Sequence, residues 1–593
     1  MQTSYLVTTA DERTWPDEEF IIFLGGWCQS WKLRHKWSQI NAVVAAPYGI
    51  GEQTREEDYA RARILEASLF PDLCNTLGRL HGVTCDQRYW RIILGHWFRR
   101  YVDLIFNRTR TLEVFSNSYK FAHTIILSNS SYRLAVQDSY SAIWACNDDR
   151  WNHSLYARIM ELMPSLGIRF ETVIDDSGDL GFSYKYKNYI NFRTLLLFGL
   201  RGMVDRVFSL LHKHDDLLIF NSYLPRWEEL KLQLMLGQYP RLPSSNIPHL
   251  QMESDANLRG ELSQQSIDLG SNSGSVEHIA RSLLFELLPV CYLEAFASIK
   301  EHCENLPWPD RPRAVFNSNN FDTDEIFKSW TADKVMQGTK YVIGQHGNNY
   351  GTHRYFVNPS IEEMNADRFV TWGWQDELPQ HLPVCMLKNL GKKTLKNDPE
   401  GDLLLIELPL PYRFSVWDEW ADFDDYFEDQ KRFVSELRSA PRKKLLIRLH
   451  QMHEQMGWGE CERWAEFDST MRVDLGDQNI NKLIAASRLV VHSYDSTGIL
   501  ETLSQDIPTV AFWQRGLEHV RDSARPWYQL LVDAGIVHLS ARSAAVHVSE
   551  VWDDIGGWWS QDAVRNARMA FCQEYACSSK HPLRKLKDIL IFN

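Results

Sequence analysis

The chain has 593 residues, of which 44% are apolar and 24% are charged, and its formal net charge is −13. This composition excludes an intrinsically disordered chain, and the length predicts roughly two to four domains. Because acidic residues outnumber basic ones, the chain lacks the basic footprint of nucleic-acid-binding proteins, and we expect no nucleic-acid partner.

The cysteines and the first residues indicate the compartment. The ten cysteines include no CxxC pair, which indicates reduced thiols rather than a disulfide framework or a zinc site. The acidic N-terminal stretch has no long apolar run and does not predict a signal peptide. The most apolar segment, 194–204, contains Arg201 and is too short to cross a bilayer. We therefore expect a cytoplasmic protein.

Short apolar runs alternate with helical patterns in the first half of the chain. The pattern between 56 and 108 is helical with a break near Gly82. A mostly buried helix is predicted at 191–213 and another helical segment at 277–303. Between them, residues 251–276 are poor in apolar side chains and predict a flexible surface loop. Strands are predicted at 20–25, 43–47 and 217–221.

The second half repeats a strand–helix–strand order, which predicts parallel, doubly wound sheets. A Pro- and Lys-rich passage near 375–385 predicts a hinge between two α/β halves. A tail, 571–593, is expected to pack back on the N-terminal domain. Strands are predicted at 314–317, 341–344, 368–372, 403–408, 445–449, 489–492 and 509–513. The helix before the second of the last four strands has one apolar face, formed by Phe423, Tyr426, Phe427, Phe433, Val434 and Leu437.

The first polar cluster runs from Ser493 to Gly498, after a buried strand and at the start of a predicted helix. Free backbone N–H groups at a helix start, with hydroxyls beside them, suit a phosphate. We place Ser493, Ser496 and Thr497 there as phosphate-binding residues, although an ordinary helix cap would use the same residue types. Glu501, one turn into the helix, is placed against a ribose.

The second cluster is Arg448 and His450, at the end of a predicted strand. Strand alternation turns both side chains to the same side, and both can bind phosphate oxygens. A surface basic pair is the alternative.

The third cluster is the glycine-rich loop 344–351, which follows another strand. Its glycines allow a ligand close to the backbone, and His346 could act as a general base. We place His346 and Gln345 as catalytic residues. A histidine satisfied within a turn is the alternative.

Weaker candidates lie in the first half. We place Arg88, Gly26 and Asn317 in an acceptor pocket, although capping and surface turns explain these residue types nearly as well. No HExxH motif, Walker A motif or convincing DxD is present. A reaction without a metal ion or other cofactor is therefore expected.

These motifs carry a resemblance. GQHGNNYG at 344–351, RLH at 448–450, SYDSTGILETL at 493–503 and WDDIGGWW at 552–559 resemble a family of surface-carbohydrate transferases found in bacterial polysaccharide gene clusters. The layout is similar, more distantly, to GT-B transferases that use cytidine nucleotides, namely capsule Kdo, pseudaminic acid and teichoic-acid glycerophosphate transferases. Gln451 stands where those proteins have a proline.

The resemblance implies a GT-B fold, with two Rossmann-like domains that face a cleft. Residues 1–375 would form the acceptor-side domain with helical insertions, and 376–570 would bind the nucleotide-sugar. The expected donor is a CMP-activated acidic sugar, with a UDP- or GDP-sugar next. The expected acceptor is a glycan or a lipid-linked glycan, with peripheral association at the inner face of the cytoplasmic membrane. A nucleotide-sugar epimerase and a non-catalytic component of polysaccharide assembly stay open, as does the oligomeric state.

Overall fold

The structure is a computed structural model of the chain. It describes residues 4–592 except 18, 47, 50–51, 185–212, 242, 244, 246–251, 271–273, 356–359, 393, 409 and 411–422. The helix predicted at 191–213 lies almost entirely outside the described residues.

Three parallel sheets organise the chain. The first has the order β3-β2-β1-β4-β5. Its buried strands β1 and β2 are the short apolar runs YLV and FIIF, and sheets covered by helices on both faces use such continuous runs. The strands are β1 (Ser4–Val7), β2 (Phe20–Phe23), β3 (Ala42–Val44), β4 (His123–Ser128) and β5 (Arg169–Ile174).

The second sheet follows the chain without reversal, in the order β10-β9-β8-β7-β6. All carboxyl ends therefore lie on one edge, since every pair is parallel. The strands are β6 (Leu218–Phe220), β7 (Ala314–Asn317), β8 (Lys340–Gly344), β9 (Arg368–Thr371) and β10 (His381–Pro383).

The third sheet has the order β13-β12-β11-β14-β15-β16, so the direction of strand addition reverses between β11 and β14. In open α/β sheets, ligands bind outside the carboxyl ends of the strands at such a switch point. The strands are β11 (Asp402–Ile406), β12 (Leu445–Arg448), β13 (Arg472–Asp474), β14 (Ser487–His492), β15 (Thr509–Phe512) and β16 (Val537–His538).

Helices cover the faces of these sheets and connect their strands. The helices of the first two sheets are α1 (Arg34–Trp37), α2 (Glu52–His81), α3 (Gln87–Ser118), α4 (Ser139–Ala145), α5 (Asp149–Glu161), α6 (Arg226–Met235), α7 (Ala256–Asp268), α8 (Val276–Leu287), α9 (Phe296–Glu304), α10 (Glu325–Met336) and α11 (Ile361–Asn365). Those after the second sheet are α12 (Phe423–Glu436), α13 (Ser439–Lys443), α14 (His453–Met456), α15 (Glu460–Phe467), α16 (Ile480–Ala485), α17 (Thr497–Ser504), α18 (Arg525–Asp533), α19 (Ala541–Val551), α20 (Ile555–Ser560), α21 (Asp562–Tyr575) and α22 (Pro582–Leu590).

The α/β class and the parallel sheets are confirmed, and the structure adds a sheet that the sequence analysis did not resolve. The segment before 375, treated there as one α/β half, contains the first sheet and four of the five strands of the second, and the fifth strand, β10, lies in the passage predicted as a hinge. Long helix α3 connects them: Arg100 forms a bidentate pair with Asp322 after β7, with both contacts at 2.6 Å, and Arg108 donates to Asn152 in α5.

The prediction of a flexible loop at 251–276 is wrong for its central part, which is helix α7. Asp255 caps this helix by accepting from the N–H groups of Asn257 and Leu258, both at 3.0 Å. Arg259 then holds it in place through Glu294, with both contacts at 2.7 Å. A cap and a buried ion pair stabilise a helix that its low apolar content did not indicate.

The C-terminal helix α22 lies against the second sheet. Leu586 and Leu590 are fully buried in one cluster with Leu217, Val342 and Val370. The last helix of the chain therefore covers part of one face of the second sheet.

All ten cysteines are free thiols, as the sequence predicts. Among the residues that the structure describes, no helix is both long and apolar enough to cross a membrane.

Candidate functional site

The loop after β8 joins the second sheet to the third. The backbone N–H of Asn348 donates to Thr497 Oγ1 at 2.9 Å, and its side-chain amide donates to Asp495 Oδ1 at 2.7 Å. Farther along the loop, the N–H of Arg354 donates to the carbonyl of His519 at 2.7 Å. The loop after β8 therefore packs against the turn that follows β14. Strand β14 is one of the two strands at the switch point.

Asp495 is the centre of this junction. Its Oδ2 accepts from Tyr528 at 2.8 Å and lies 3.0 Å from Nε2 of both His353 and His519. Burial alone would raise the pKa of Asp495, but the hydrogen bonds and charges of the two histidines hold it well below its usual range. The carboxylate therefore stays ionised and ties three loops together.

The same three side chains, His353, Asp495 and His519, are a group whose ligand atoms lie close enough to hold a metal ion, all within 4.8 Å of one another. Their contacts are also those of a satisfied hydrogen-bond centre, since Asn348 and Tyr528 donate to the same carboxylate. The absence of a metal requirement stays a prediction.

His346 lies in the same loop and is oriented by a buried chain of polar groups. Its Nδ1 is 2.8 Å from the Tyr350 hydroxyl, which in turn donates to the carboxylate of Glu362 in α11. Burial lowers the pKa of His346 to about 4 and raises that of Glu362 to about 7. The imidazole is therefore neutral at physiological pH, as a general base must be.

The other side of His346 is lined by aromatic rings and one ion pair. The ring centroids of Phe321 and Tyr223 lie 5.5 and 6.1 Å from that of His346. Lys388, from the linker between the second and third sheets, pairs with Glu501 in α17 and lies 6.0 Å from the Tyr223 ring. Residues of both sheets thus meet beside His346.

The sequence matches the family described as "LIC12162 family transferase" over residues 4–590. The chain belongs to this family of transferases. The protein is accordingly an enzyme that transfers a chemical group. A search of curated protein sequences finds no significant match.

The solved structures that match this chain are remote in sequence and in fold similarity. MurG of Acinetobacter baumannii is 9% identical, with 63% of this chain and 99% of that chain covered and a TM-score of 0.31. The wall teichoic acid polymerase TagF is 8% identical, with 67% and 94% covered and a TM-score of 0.30. The UDP-GlcNAc 2-epimerase from Neisseria meningitidis, bound to UDP-GlcNAc, is 12% identical, with 60% and 98% covered and a TM-score of 0.31. Likenesses this remote do not distinguish one activity from another.

Gln345 of this transferase is a positioning residue in the structure. Its Oε1 accepts from the Trp372 backbone N–H and from Trp374 Nε1, both at 2.9 Å, and its amide donates to the Gly347 carbonyl at 2.9 Å. With these three bonds made, the side chain fixes the loop that carries His346.

Protein groups already engage Arg448, and a contact from it to a phosphate stays a prediction. Its guanidinium pairs with Asp474 on the neighbouring strand and donates to the carbonyls of Gly476 and Gln478 at 3.0 and 3.1 Å. His450 lies at the end of the same strand, where its Nδ1 accepts from the Met452 N–H at 3.2 Å. Burial, the charge of Arg448 and His453 lower the pKa of His450, so it too is neutral at physiological pH.

The turn after β14 lies where the sequence predicts, but its hydroxyls have partners. Ser493 Oγ donates to the Ile406 carbonyl at 3.0 Å, and Thr497 Oγ1 accepts from Asn348. Ser496 is buried and caps α17 without a side-chain hydrogen bond to the helix. The helix start therefore offers backbone N–H groups, and Glu501 reaches Lys388 one turn later.

The three predicted acceptor residues do not come together. Arg88 donates to the Asn365 carbonyl and pairs with Asp367 at 2.9 Å, just before β9 and so at the amino ends of the second sheet. Gly26 lies at the contact between the first and third sheets, where an added Cβ would be 3.1 Å from Asp424. Asn317 is fully buried at the end of β7. Arg88 therefore lies apart from the carboxyl ends of the strands, and an acceptor role for it stays a prediction.

Sequence reasoning missed Tyr350, Glu362, Tyr223 and Lys388. Tyr350 is four residues after His346 in the same motif, a spacing that could have indicated the pair. The others come from distant segments, and only the fold brings them to His346.

Proposed function

We propose that this transferase is a glycosyltransferase, which moves a sugar from a nucleotide-activated donor to a hydroxyl group of a surface polysaccharide or lipid-linked acceptor. One observation carries the proposal: neutral His346, oriented by Tyr350 and Glu362, lies in the loop that contacts the start of α17 at the switch point of the third sheet. A base and an anion-binding helix start are the two parts that such a transfer needs.

In the proposed reaction the acceptor hydroxyl attacks the anomeric carbon of the sugar. The new bond joins that carbon to the acceptor oxygen, the bond from the carbon to the phosphate oxygen breaks, and the hydroxyl proton goes to Nε2 of His346. The nucleotide leaves with the bonding electron pair. The N–H groups at the start of α17 would stabilise the charge that develops on its phosphate.

We propose a CMP-activated acidic sugar as the donor, with UDP- and GDP-sugars next, on the strength of the resemblance to cytidine-dependent transferases. Lys388 beside His346 is a cation that could face a sugar carboxylate. Peripheral association with the cytoplasmic membrane stays a prediction, tied to a lipid-linked acceptor.

A thermal-shift panel of CMP, CDP, UDP and GDP tests the donor site. A nucleotide present at about 100 times its Kd should stabilise the protein by about 2.7 kcal/mol. If none of the four nucleotides shifted the thermal midpoint, the proposal would be contradicted.

His346→Ala separates the activities. For a glycosyltransferase, the folded variant retains the nucleotide-induced shift but makes no polysaccharide in cells. An epimerase would instead convert a nucleotide-sugar without any acceptor. A non-catalytic assembly component would keep polysaccharide synthesis intact in the variant.

A further inference from the structure

Tyr223 has an unusual backbone at the carboxyl end of β6. Its φ is +62°, and Asn221 in the same turn has a φ of +50°. Asn tolerates this left-handed region, whereas a bulky side chain is rarely found there because its Cβ is crowded. Residues held in such conformations concentrate at functional sites.

The turn is fixed by its neighbours rather than by the Tyr223 side chain. Ser318 Oγ donates to the Ser222 carbonyl at 3.0 Å, and the Ser318 N–H donates to the Asn221 carbonyl at 3.0 Å. Ser222 is fully buried and its own hydroxyl donates to Glu229. These bonds determine where the Tyr223 ring stands.

The ring stands between the two sheets that form the proposed site. It is edge-on to His346, with an angle of 72° between the ring planes, and Lys388 lies over it. The ring is half-buried, and among the described residues its hydroxyl has no hydrogen-bond partner. Asn349, in the loop of His346, is also left-handed, with a φ of +83°. Left-handed backbone therefore approaches His346 from two segments, and the bulky side chain of Tyr223 makes its own segment the strained one.

We propose that Tyr223 is a platform on which the transferred sugar of the nucleotide-sugar stacks, so that its anomeric carbon faces His346. This inference rests on the proposed function. Aromatic side chains supply a large, rigid surface at ligand sites, and a fixed ring loses little freedom when a ligand binds. A sugar bound through its phosphate at the start of α17 would lie beside Lys388, Glu501 and this ring.

Tyr223→Gly tests the platform because glycine suits the left-handed turn. The measurement is the Kd, by titration calorimetry on the full chain, of three matched pairs of probes. The pairs are CMP with CMP-N-acetylneuraminate, UDP with UDP-N-acetylglucosamine, and GDP with GDP-mannose. In the pair that wild type binds, the variant should bind the nucleotide-sugar about ten-fold more weakly and the nucleotide alone with an unchanged Kd.

Two variants and a melting curve complete the test. Tyr223→Phe keeps the ring, and Asn221→Gly relieves the same turn, so both should bind as wild type. The thermal midpoint of Tyr223→Gly should equal or exceed that of wild type. Unchanged nucleotide-sugar binding in Tyr223→Gly would overturn the platform, as would equal weakening of both probes together with a lower midpoint. Wild type that binds none of the probes would instead contradict the proposed function, and the platform with it.

Discussion

The tautomer of His346 depends on the protonation state of Glu362, to which it is linked through Tyr350. When Glu362 is ionised it accepts the Tyr350 proton in a hydrogen bond, so the Tyr350 oxygen must accept from Nδ1–H of His346. The lone pair is then on Nε2, where an acceptor hydroxyl can be deprotonated. When Glu362 is protonated, it can donate to Tyr350 and the direction of the chain reverses.

The hydrogen bonds that link Glu362, Tyr350 and His346 predict that kcat depends on pH. Because burial raises the pKa of Glu362 to about 7, it is protonated below that pH and ionised above it, and kcat should rise with pH through about 7. Glu362→Gln should remove this step and lower kcat on the order of 100-fold. Glu363→Gln is the matched control, since Glu363 caps α11 through the Ser360 N–H at 2.6 Å and its carboxylate faces His381 rather than Tyr350. If kcat of Glu362→Gln still rose with pH through about 7, the proposed link from Glu362 to His346 would be contradicted.

Arg448 gives a second prediction at this scale. Arg448→Ala should lower the free energy of unfolding by about 2 kcal/mol, because it leaves the buried carboxylate of Asp474 without its partner. Chemical denaturation measures this loss, and Asp474→Ala should show a similar one. Nucleotide affinity should be retained. If Arg448→Ala had normal stability but no longer bound the nucleotide, Arg448 would be assigned to the donor site.

At the scale of elements, β11 ends in a buried acid. Glu407 accepts from Trp464 Nε1 at 3.2 Å, and burial raises its pKa to about 8. A carboxyl group whose pKa is raised on folding costs stability as the pH rises above its ordinary value near 4.5. The carboxyl end of this strand therefore tolerates a charge poorly.

Glu407→Gln should stabilise the protein, and more so at pH 8 than at pH 5, because the amide keeps an acceptor for Trp464 and cannot ionise. The thermal midpoint at the two pH values measures the effect. Glu400→Gln, an exposed position before the same strand, should show no such difference. An equal gain at both pH values would contradict the assigned pKa.

The elements that the sequence predicts best are those with a strong local pattern. The predicted apolar face of α12 is confirmed at Phe423, Tyr426, Phe427, Phe433 and Val434, all of which are buried. The strands FIIF, AVFN and LVVH also lie where their apolar runs indicate. Helix α7 was missed because a cap and an ion pair with a distant residue stabilise it, and neither is visible as periodicity.

The sequence analysis located the segments of the candidate site better than it identified the hydrogen-bond partners of their side chains. The loop of His346 and the turn after β14 do meet, because both follow strands at carboxyl edges. Arg448 and Gln345 lie at the strand ends where the sequence analysis expects them. Arg448 already bonds Asp474 and neighbouring carbonyls, however, and Gln345 already bonds Trp374. Such pairing depends on tertiary contacts that no short motif encodes.

At the scale of the whole molecule, the first sheet packs against the third. Trp31 lies between Arg34 and Arg463, whose guanidinium carbons are 4.4 and 4.3 Å from its ring centroid. Arg34 also pairs with Glu466, and Arg55 of α2 pairs with Glu518. The third sheet is thus contacted by the second sheet at β14 and by the first sheet beside α15.

Trp31→Ala should loosen the first sheet from the third, because it removes the ring between the two guanidinium groups. The initial rate of tryptic cleavage after Lys32, Arg34 and Lys36 measures the change and should rise. Trp227→Ala is the control, since Trp227 is 76% exposed. An unchanged cleavage rate in Trp31→Ala would show that the other contacts suffice.

Hydrogen exchange of the full chain with and without nucleotide tests the central claim most directly, because it locates the donor. The account predicts that the nucleotide which shifts the thermal midpoint slows exchange at residues 493–499, the turn and first helical turn after β14, and at 345–350, the loop of His346. Protection confined to the first sheet, or to segments away from the carboxyl ends of β8 and β14, would contradict it.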